Sequence, residues 1–289
     1  MRAALVAAAL LLIAAPAGAY RPRILQVGFV PSENSDEMKQ KVAPLLADLS
    51  GRVGLRAVSF VAQDYPGVVE AMRNRKVDVA FLSPVPAVMA EKMAGAKILL
   101  KAVRHGRDHY YSAIIVRKDS GLRRIQDLKG KTFAFGDPFS TAGSILPKAM
   151  FRDVGIDPDK DVTGLPPGSH DATVLAVFNK RADAGAVFAN DPQGKEGAWT
   201  FYLKTPAEQH QIVPIAMSKP IPNDAFCARA DLDSDLIAKV KNALLAMSAT
   251  KAGRNMLKEI YHLETLKEAR SADYESVREA AKTLGLQLK

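Results

Sequence analysis

Short apolar runs alternate with amphipathic stretches along most of this chain. Residues 24–30 read as a buried strand, and 35–49 carry helical periodicity interrupted by Pro44. Residues 55–61 return to strand, 66–75 to helix and 78–82 to strand. A helix is predicted over 84–93, with Pro84 in the first turn, where its missing N–H costs nothing. Strands follow at 98–103 and 111–117, a turn at 128–131 and a strand at 132–135. Helices are predicted at 143–154 and 171–179, a strand at 184–188, and strand-like runs at 211–216 and 225–228. From Ser234 onward the pattern is helical, ending in a helix over 273–284.

Strand and helix in alternation specify an α/β protein whose sheets are mostly parallel and covered by helices on both faces. The pattern divides into two lobes. The first takes residues 20–109 and, discontinuously, 220–289; the second takes 110–219. The helices after Ser234 have no sheet of their own to cover, so they return to the first lobe. No internal repeat, low-complexity tract or long linker interrupts the chain. In open α/β sheets ligands bind beyond the carboxyl ends of the strands, and two facing lobes enclose such a ligand between them. Ser83, Ser140 with Thr141, and Asn190 with Asp191 all fall at predicted strand ends.

The segment Gly136-Asp137-Pro138-Phe139-Ser140-Thr141-Ala142-Gly143 leads from a strand into a helix. The first amides of a helix lack intrahelical partners and carry the positive end of its dipole. With the Ser140 and Thr141 hydroxyls beside them, they suit a tetrahedral oxyanion. The P-loop lysine is absent, so a nucleoside triphosphate is not indicated. An ordinary Ser/Thr N-cap is the alternative. Gly168-Ser169-His170-Asp171 repeats the theme, with His170 either an anion contact or incidental to the turn. Tyr65 and Tyr110 are either cleft walls with hydroxyls on a ligand or half-buried packing. Ser83 is a second helix-start donor or an N-cap, and Asp224 a partner for a cationic substituent or a turn residue.

The N-terminus narrows the setting. Arg2, an apolar run over 3–15 and Ala17-Gly18-Ala19 have the form of a cleaved signal peptide, residues 1–19. The run is short for a spanning helix, and no cysteine marks a lipid anchor. The remaining chain of about 270 residues is long enough for two lobes. The one cysteine, Cys227, cannot form an internal disulfide, so stability rests on burial of a 48% hydrophobic sequence. The net charge of +9 is scattered, with no aromatic-interleaved basic stripe, so nucleic acid is not an expected partner. The five histidines show no metal-ligand spacing, and no Gly-x-Ser-x-Gly elbow is present. Neither a metal, a cofactor nor catalysis is expected, although Ser140, His170 and an aspartate remain formally a triad.

The run 110–155, containing Asp127-Leu128-Lys129-Gly130-Lys131 and then Asp137-Pro138-Phe139-Ser140-Thr141-Ala142-Gly143, resembles the periplasmic phosphate/phosphite/phosphonate-binding proteins of ABC importers. The segments 168–171, 180–186 and 218–224, together with Asp64-Tyr65 and 77–84, extend that resemblance over nearly the whole exported chain. It implies the type II periplasmic-binding-protein fold: two lobes, a hinge of crossing strands and closure over an anion. By matching position it implies ligand contacts at Ser140, Thr141, Ala142, Gly143, His170, Tyr65 and Tyr110, with Ser83, Asn190 and Asp224 as further members. Ala142 departs from the family's second serine, removing a hydroxyl but not the amide. Asn190 stands where an acid would favour an aminoalkyl ligand. The resemblance therefore implies a monomeric periplasmic solute-binding protein that takes a phosphonate, phosphite or phosphate to the transmembrane subunits of an ABC permease. A ligand sensor feeding a signalling partner and an enzyme on the same fold are the alternatives.

Overall fold

The structure, a computed structural model, describes residues 19–284. Apart from Ala19, the expected signal peptide lies outside the described residues. In chain order the strands are β1 (Ile24–Phe29), β2 (Arg56–Val61), β3 (Val79–Leu82), β4 (Lys97–Val103), β5 (His109–Arg117) and β6 (Thr132–Gly136). They continue as β7 (Thr163–Gly168), β8 (Ala184–Ala189), β9 (Ile212–Met217), β10 (Ile221–Pro222), β11 (Ala225–Ala228) and β12 (Thr265–Glu268). One sheet runs β12-β4-β11-β3-β1-β2; the other runs β10-β5-β8-β6-β7, with β9 also on β5. This is the two-lobe α/β architecture.

Both sheets are mixed, which corrects the expectation of mostly parallel ones. β1 is parallel to β2 and β3, and β6 to β7 and β8, as βα units require. β11 runs antiparallel to both β3 and β4, and β5 antiparallel to β8, β9 and β10. The reason is the crossing. A strand that enters a lobe from the hinge runs opposite to the one that leaves through it.

Several elements differ from their sequence signals. The first helix runs unbroken through Pro44, as Ser35–Val53, capped by the Asn34 side chain. Pro44 lies on the exposed face, where the carbonyl it leaves unpaired meets water. β7 is a strand despite Pro166-Pro167, because it is an edge, where a missing N–H breaks no ladder. β12 is a strand inside the region read as helical. It is a four-residue edge with only Leu266 buried, too short and polar to signal itself. Helices Ala198–Tyr202 and Pro206–Gln209 had no prediction.

The first sheet packs an aromatic ladder, Phe29 on Phe81 at 5.6 Å and Phe81 on Phe226 at 4.8 Å, and buries Cys227 completely. Burial pushes the Cys227 thiol well above its ordinary range, so it is inert packing. The second sheet packs Phe133 against Phe151 at 4.9 Å.

Two connections join the lobes: β4 to β5, and β10 to β11. Arg104, just past β4, binds them together. Its Nη1 donates to Asn223 Oδ1 at 2.8 Å, its Nη2 to Asp224 Oδ2 at 2.5 Å, and its Nε to the Tyr261 carbonyl at 2.8 Å. Asn223 Nδ2 returns to the Arg107 carbonyl at 3.0 Å, and Tyr274 Oη donates to the Asn223 carbonyl at 2.7 Å. Arg104→Met would leave the half-buried Asp224 carboxylate without its cation and the buried Asn223 Oδ1 without its donor, a loss of about 3 kcal/mol. Urea unfolding of this variant is expected to show a correspondingly lower midpoint.

Candidate functional site

Four helix starts converge between the lobes. The helix Tyr65–Arg73 begins after Asp64, whose side chain caps it, and Pro84–Ala94 begins after Ser83. His170–Phe178 begins after Ser169. The fourth start is the loop singled out in the sequence. It begins two residues earlier than the predicted 143 and opens as a π turn, Thr141–Ile145, before the α-helix Leu146–Asp153. The wider turn shows in Leu146 N, which reaches past Ala142 to the Thr141 carbonyl. The Ala142 carbonyl so released accepts from Ser112 Oγ on β5 at 2.7 Å. Gly143 N donates to Ser140 Oγ at 3.1 Å, which orients that hydroxyl.

Tyr65, Ser83, Ser140 and His170, one from each start, line one cavity. Tyr110, Asn190 and Asp224 line it too. Thr141, Ala142 and Gly143 lie one layer behind. Thr141 Oγ1 accepts from Val85 N at 2.9 Å, while Gly143 packs its backbone on Gly136. Helix-start amides bridge the two lobes in three places: Val85 N on Thr141, Tyr65 N on Asp137 Oδ2 at 3.1 Å, and His170 N on the Ser32 carbonyl at 3.1 Å.

Sequence reasoning missed Ser32, Glu33, Arg104, Phe188, Tyr202, Tyr261 and His262 in the cavity wall. Ser32 and Glu33 follow the first strand, so the strand-end rule that found Ser83 would also have reached them. Tyr261 and His262 carried no signal. They sit in left-handed backbone, φ 50° and 55°, between a helix and the unread β12.

The electrostatics are specific. Burial lowers the His170 pKa to about 4 and the His262 pKa to about 4, so both rings are neutral near pH 7. Burial also raises the Tyr65 and Tyr110 phenols far above their ordinary range, keeping them protonated donors. Asp224 is committed to Arg104, and Glu33, though raised by burial, is bonded to Lys41 Nζ at 2.7 Å. Every ionic group on the wall is thus matched, and Asp224 is not free to meet a cationic substituent.

Four buried polar atoms on this wall lack a partner: Ser83 Oγ, His170 Nδ1, Asn190 Oδ1 and His262 Nε2. Ser83 occupies an N-cap position yet makes no cap bond. Buried polar groups left unsatisfied cost about 1–3 kcal/mol each. Neutral hydroxyls, a neutral imidazole and helix starts around one small space can hold a compact oxyanion without a counter-ion.

Comparison with known proteins agrees with that chemistry. The family model described as "ABC transporter, phosphonate, periplasmic substrate-binding protein" matches residues 27–274. The chain is 27% identical over 243 residues to the phosphonates-binding periplasmic protein of Escherichia coli, covering 82% of this chain and 70% of that one. It is 31% identical over 232 residues to the phosphate-import protein PhnD of Mycolicibacterium smegmatis, covering 76% and 70%. The solved structure of a binding-protein component of an ABC phosphonate transporter from Pseudomonas aeruginosa superposes with a TM-score of 0.80 at 26% identity, covering 89% and 85%.

Two outcomes test the site's construction. A Cβ at Gly143 would lie 2.9 Å from Ser140 Oγ and 3.2 Å from Gly136 Cα. Gly143→Ala is therefore expected to cost about 1–3 kcal/mol by overpacking, read as a lowered melting temperature. The second is a pH dependence. An unfolded histidine titrates near 6.5 and folded His170 near 4. As pH falls through that window the unfolded chain binds a proton that the folded chain refuses, so His170 lowers stability there. Buried carboxylates with raised pKa act in the opposite sense, so the effect is read as a difference. Melting temperature is expected to fall less between pH 7 and pH 4.5 in His170→Gln than in the unaltered protein.

Proposed function

The chain belongs to the periplasmic substrate-binding proteins of ABC phosphonate transporters, and we propose that its inter-lobe cavity is where the transported phosphorus oxyanion is held. As a member of that family it is the solute-binding component of an importer, and it captures a phosphonate, phosphite or phosphate. The observation that carries the site assignment is the convergence of Tyr65, Ser83, Ser140 and His170 from four helix starts around unpartnered Ser83 Oγ and His170 Nδ1.

The mechanism follows from the donors. Ser140 and Ser83 hydroxyls, the Tyr65 and Tyr110 phenols and the His170 imidazole surround the anion. The positive ends of the helices supply the compensating field. Hydrogen bonds to a charged acceptor contribute about 1.5–3 kcal/mol each, so a handful supports micromolar or tighter affinity. Thr141, Ala142 and Gly143 act from behind, setting Ser140 and tying the π turn to Val85. Residues 20–109 with 220–289 form one jaw and 110–219 the other, hinged at Arg104, Asn223 and Asp224. Contacts to both jaws favour the closed form.

The protein works in the periplasm as a monomer, delivers its ligand to permease transmembrane subunits, and returns that ligand unchanged. No nucleic acid is involved. Calorimetry is expected to show Ser140→Ala with Thr141→Ala weakening the best of phosphate, phosphite and methylphosphonate by at least about tenfold. An affinity equal to that of the unaltered protein would refute the site. Phosphorus NMR of the ligand after prolonged incubation is expected to show no conversion.

A further inference from the structure

Two of the cavity's buried, unpartnered atoms come from opposite lobes, one on Asn190 and one on His262. Asn190 follows the last residue of β8 and is 3% exposed. Its Nδ2 points to Glu196 Oε1 at 3.4 Å, and a carboxylate accepts only, so the amide oxygen is the atom turned inward. That oxygen is buried without a partner. The backbone is pinned on both sides: Asn190 N donates to the Glu196 carbonyl at 2.9 Å, and Arg107 Nη1 donates to the Asn190 carbonyl at 3.2 Å.

The second atom is His262 Nε2. Its ring stacks on Phe201 of the other lobe at 3.9 Å and 20°. Phe201 continues a row of rings through Phe188, at 6.0 Å, to His170, at 5.2 Å from Phe188. The strained pair Tyr261-His262 is held in place by two bonds to Tyr261: Oη on the Val30 carbonyl at 2.8 Å, and Arg104 Nε on its carbonyl at 2.8 Å. His105 links the two flanks, with Nε2 at 3.1 Å from Glu196 and Nδ1 at 3.7 Å from Glu264.

We propose that Asn190 and His262 read a neutral hydroxyl on the bound phosphorus oxyanion, an assignment that rests on the function proposed above. A hydroxyl both donates and accepts. It gives its proton to Asn190 Oδ1 and takes one from the Nε2–H tautomer of His262, satisfying both orphaned atoms at once. An ammonium only donates, and the carboxylates that would balance its charge are committed, Asp224 to Arg104 and Glu33 to Lys41. A methyl group or a P–H bond satisfies neither atom. The hydroxyl comes either from the P–OH of hydrogen phosphate or from the C–OH of a small hydroxyalkylphosphonate.

The test is calorimetric titration of the purified protein with phosphate, hydroxymethylphosphonate, methylphosphonate and 2-aminoethylphosphonate. The unaltered protein is expected to bind phosphate or hydroxymethylphosphonate at least about tenfold more tightly than methylphosphonate. Whichever of the two binds more tightly names the source of the hydroxyl. His262→Phe keeps the stack on Phe201 and removes the nitrogen; Asn190→Leu removes the acceptor. Each is expected to reduce that preference to less than about threefold, with melting temperatures confirming that the variants are folded. Tightest binding of methylphosphonate or 2-aminoethylphosphonate by the unaltered protein, or a preference that survives both substitutions, overturns the hydroxyl assignment and leaves the oxyanion function standing. Absence of binding to all four overturns the function itself.

Discussion

The buried guanidinium of Arg104 is the constraint on which the rest of the molecule depends. It stands where the chain leaves the first sheet and grips the segment that returns, through Asn223 and Asp224. Its third bond fixes the Tyr261 carbonyl, and through it the position of His262. One side chain therefore joins the two crossings of the hinge and sets the far wall of the cavity. Because the cation is consumed by Asp224, it adds no net charge to the ligand space. Lys41 is consumed in the same way by Glu33. An anion held as proposed would meet oriented neutral donors and helix dipoles, which select by geometry where a free lysine would select by charge alone.

Closure follows from the same logic. The amides that start two helices, Tyr65 N and Val85 N, take acceptors from the opposite lobe, while His170 N donates to Ser32 on the other side. Each such bond contributes about 0.5–1.5 kcal/mol. Against them stand the hydroxyl of Ser83 and the Nδ1 of His170, buried in the closed form with nothing to bond. A ligand that satisfies both removes that penalty. In the function proposed for this cavity, closing and binding are thereby coupled.

The second wall of the cavity is aromatic, and it unites elements far apart in sequence. His170, Phe188, Phe201 and Tyr202 come from one lobe, and His262 slides its ring onto Phe201 from the other. Rings packed across the boundary between the lobes exclude water, and exclusion of water strengthens every polar contact inside.

What the sequence determined by itself was local. Ser140, Tyr65, Ser83 and His170 were legible because a turn that starts a helix announces itself within a few residues, by Gly, Pro and hydroxyl side chains beside an apolar period. The α/β alternation was legible for the same reason, since strands such as β3 and β8 bury nearly every residue. Tertiary structure decided the rest. β7 and β12 are exposed edges whose strand character exists only through a neighbour. The Ala142 carbonyl that the π turn leaves out of the helix ladder finds its donor in Ser112, 30 residues away. Asp224 looked free until Arg104, 120 residues earlier, was seen to hold it. His262 had no local pattern, because its place is set by the Arg104 bond to Tyr261 and by a ring on the other lobe. Hydrophobic period and capping are written in adjacent residues. The pairing of charges and the facing of two lobes are written only in contacts between distant ones.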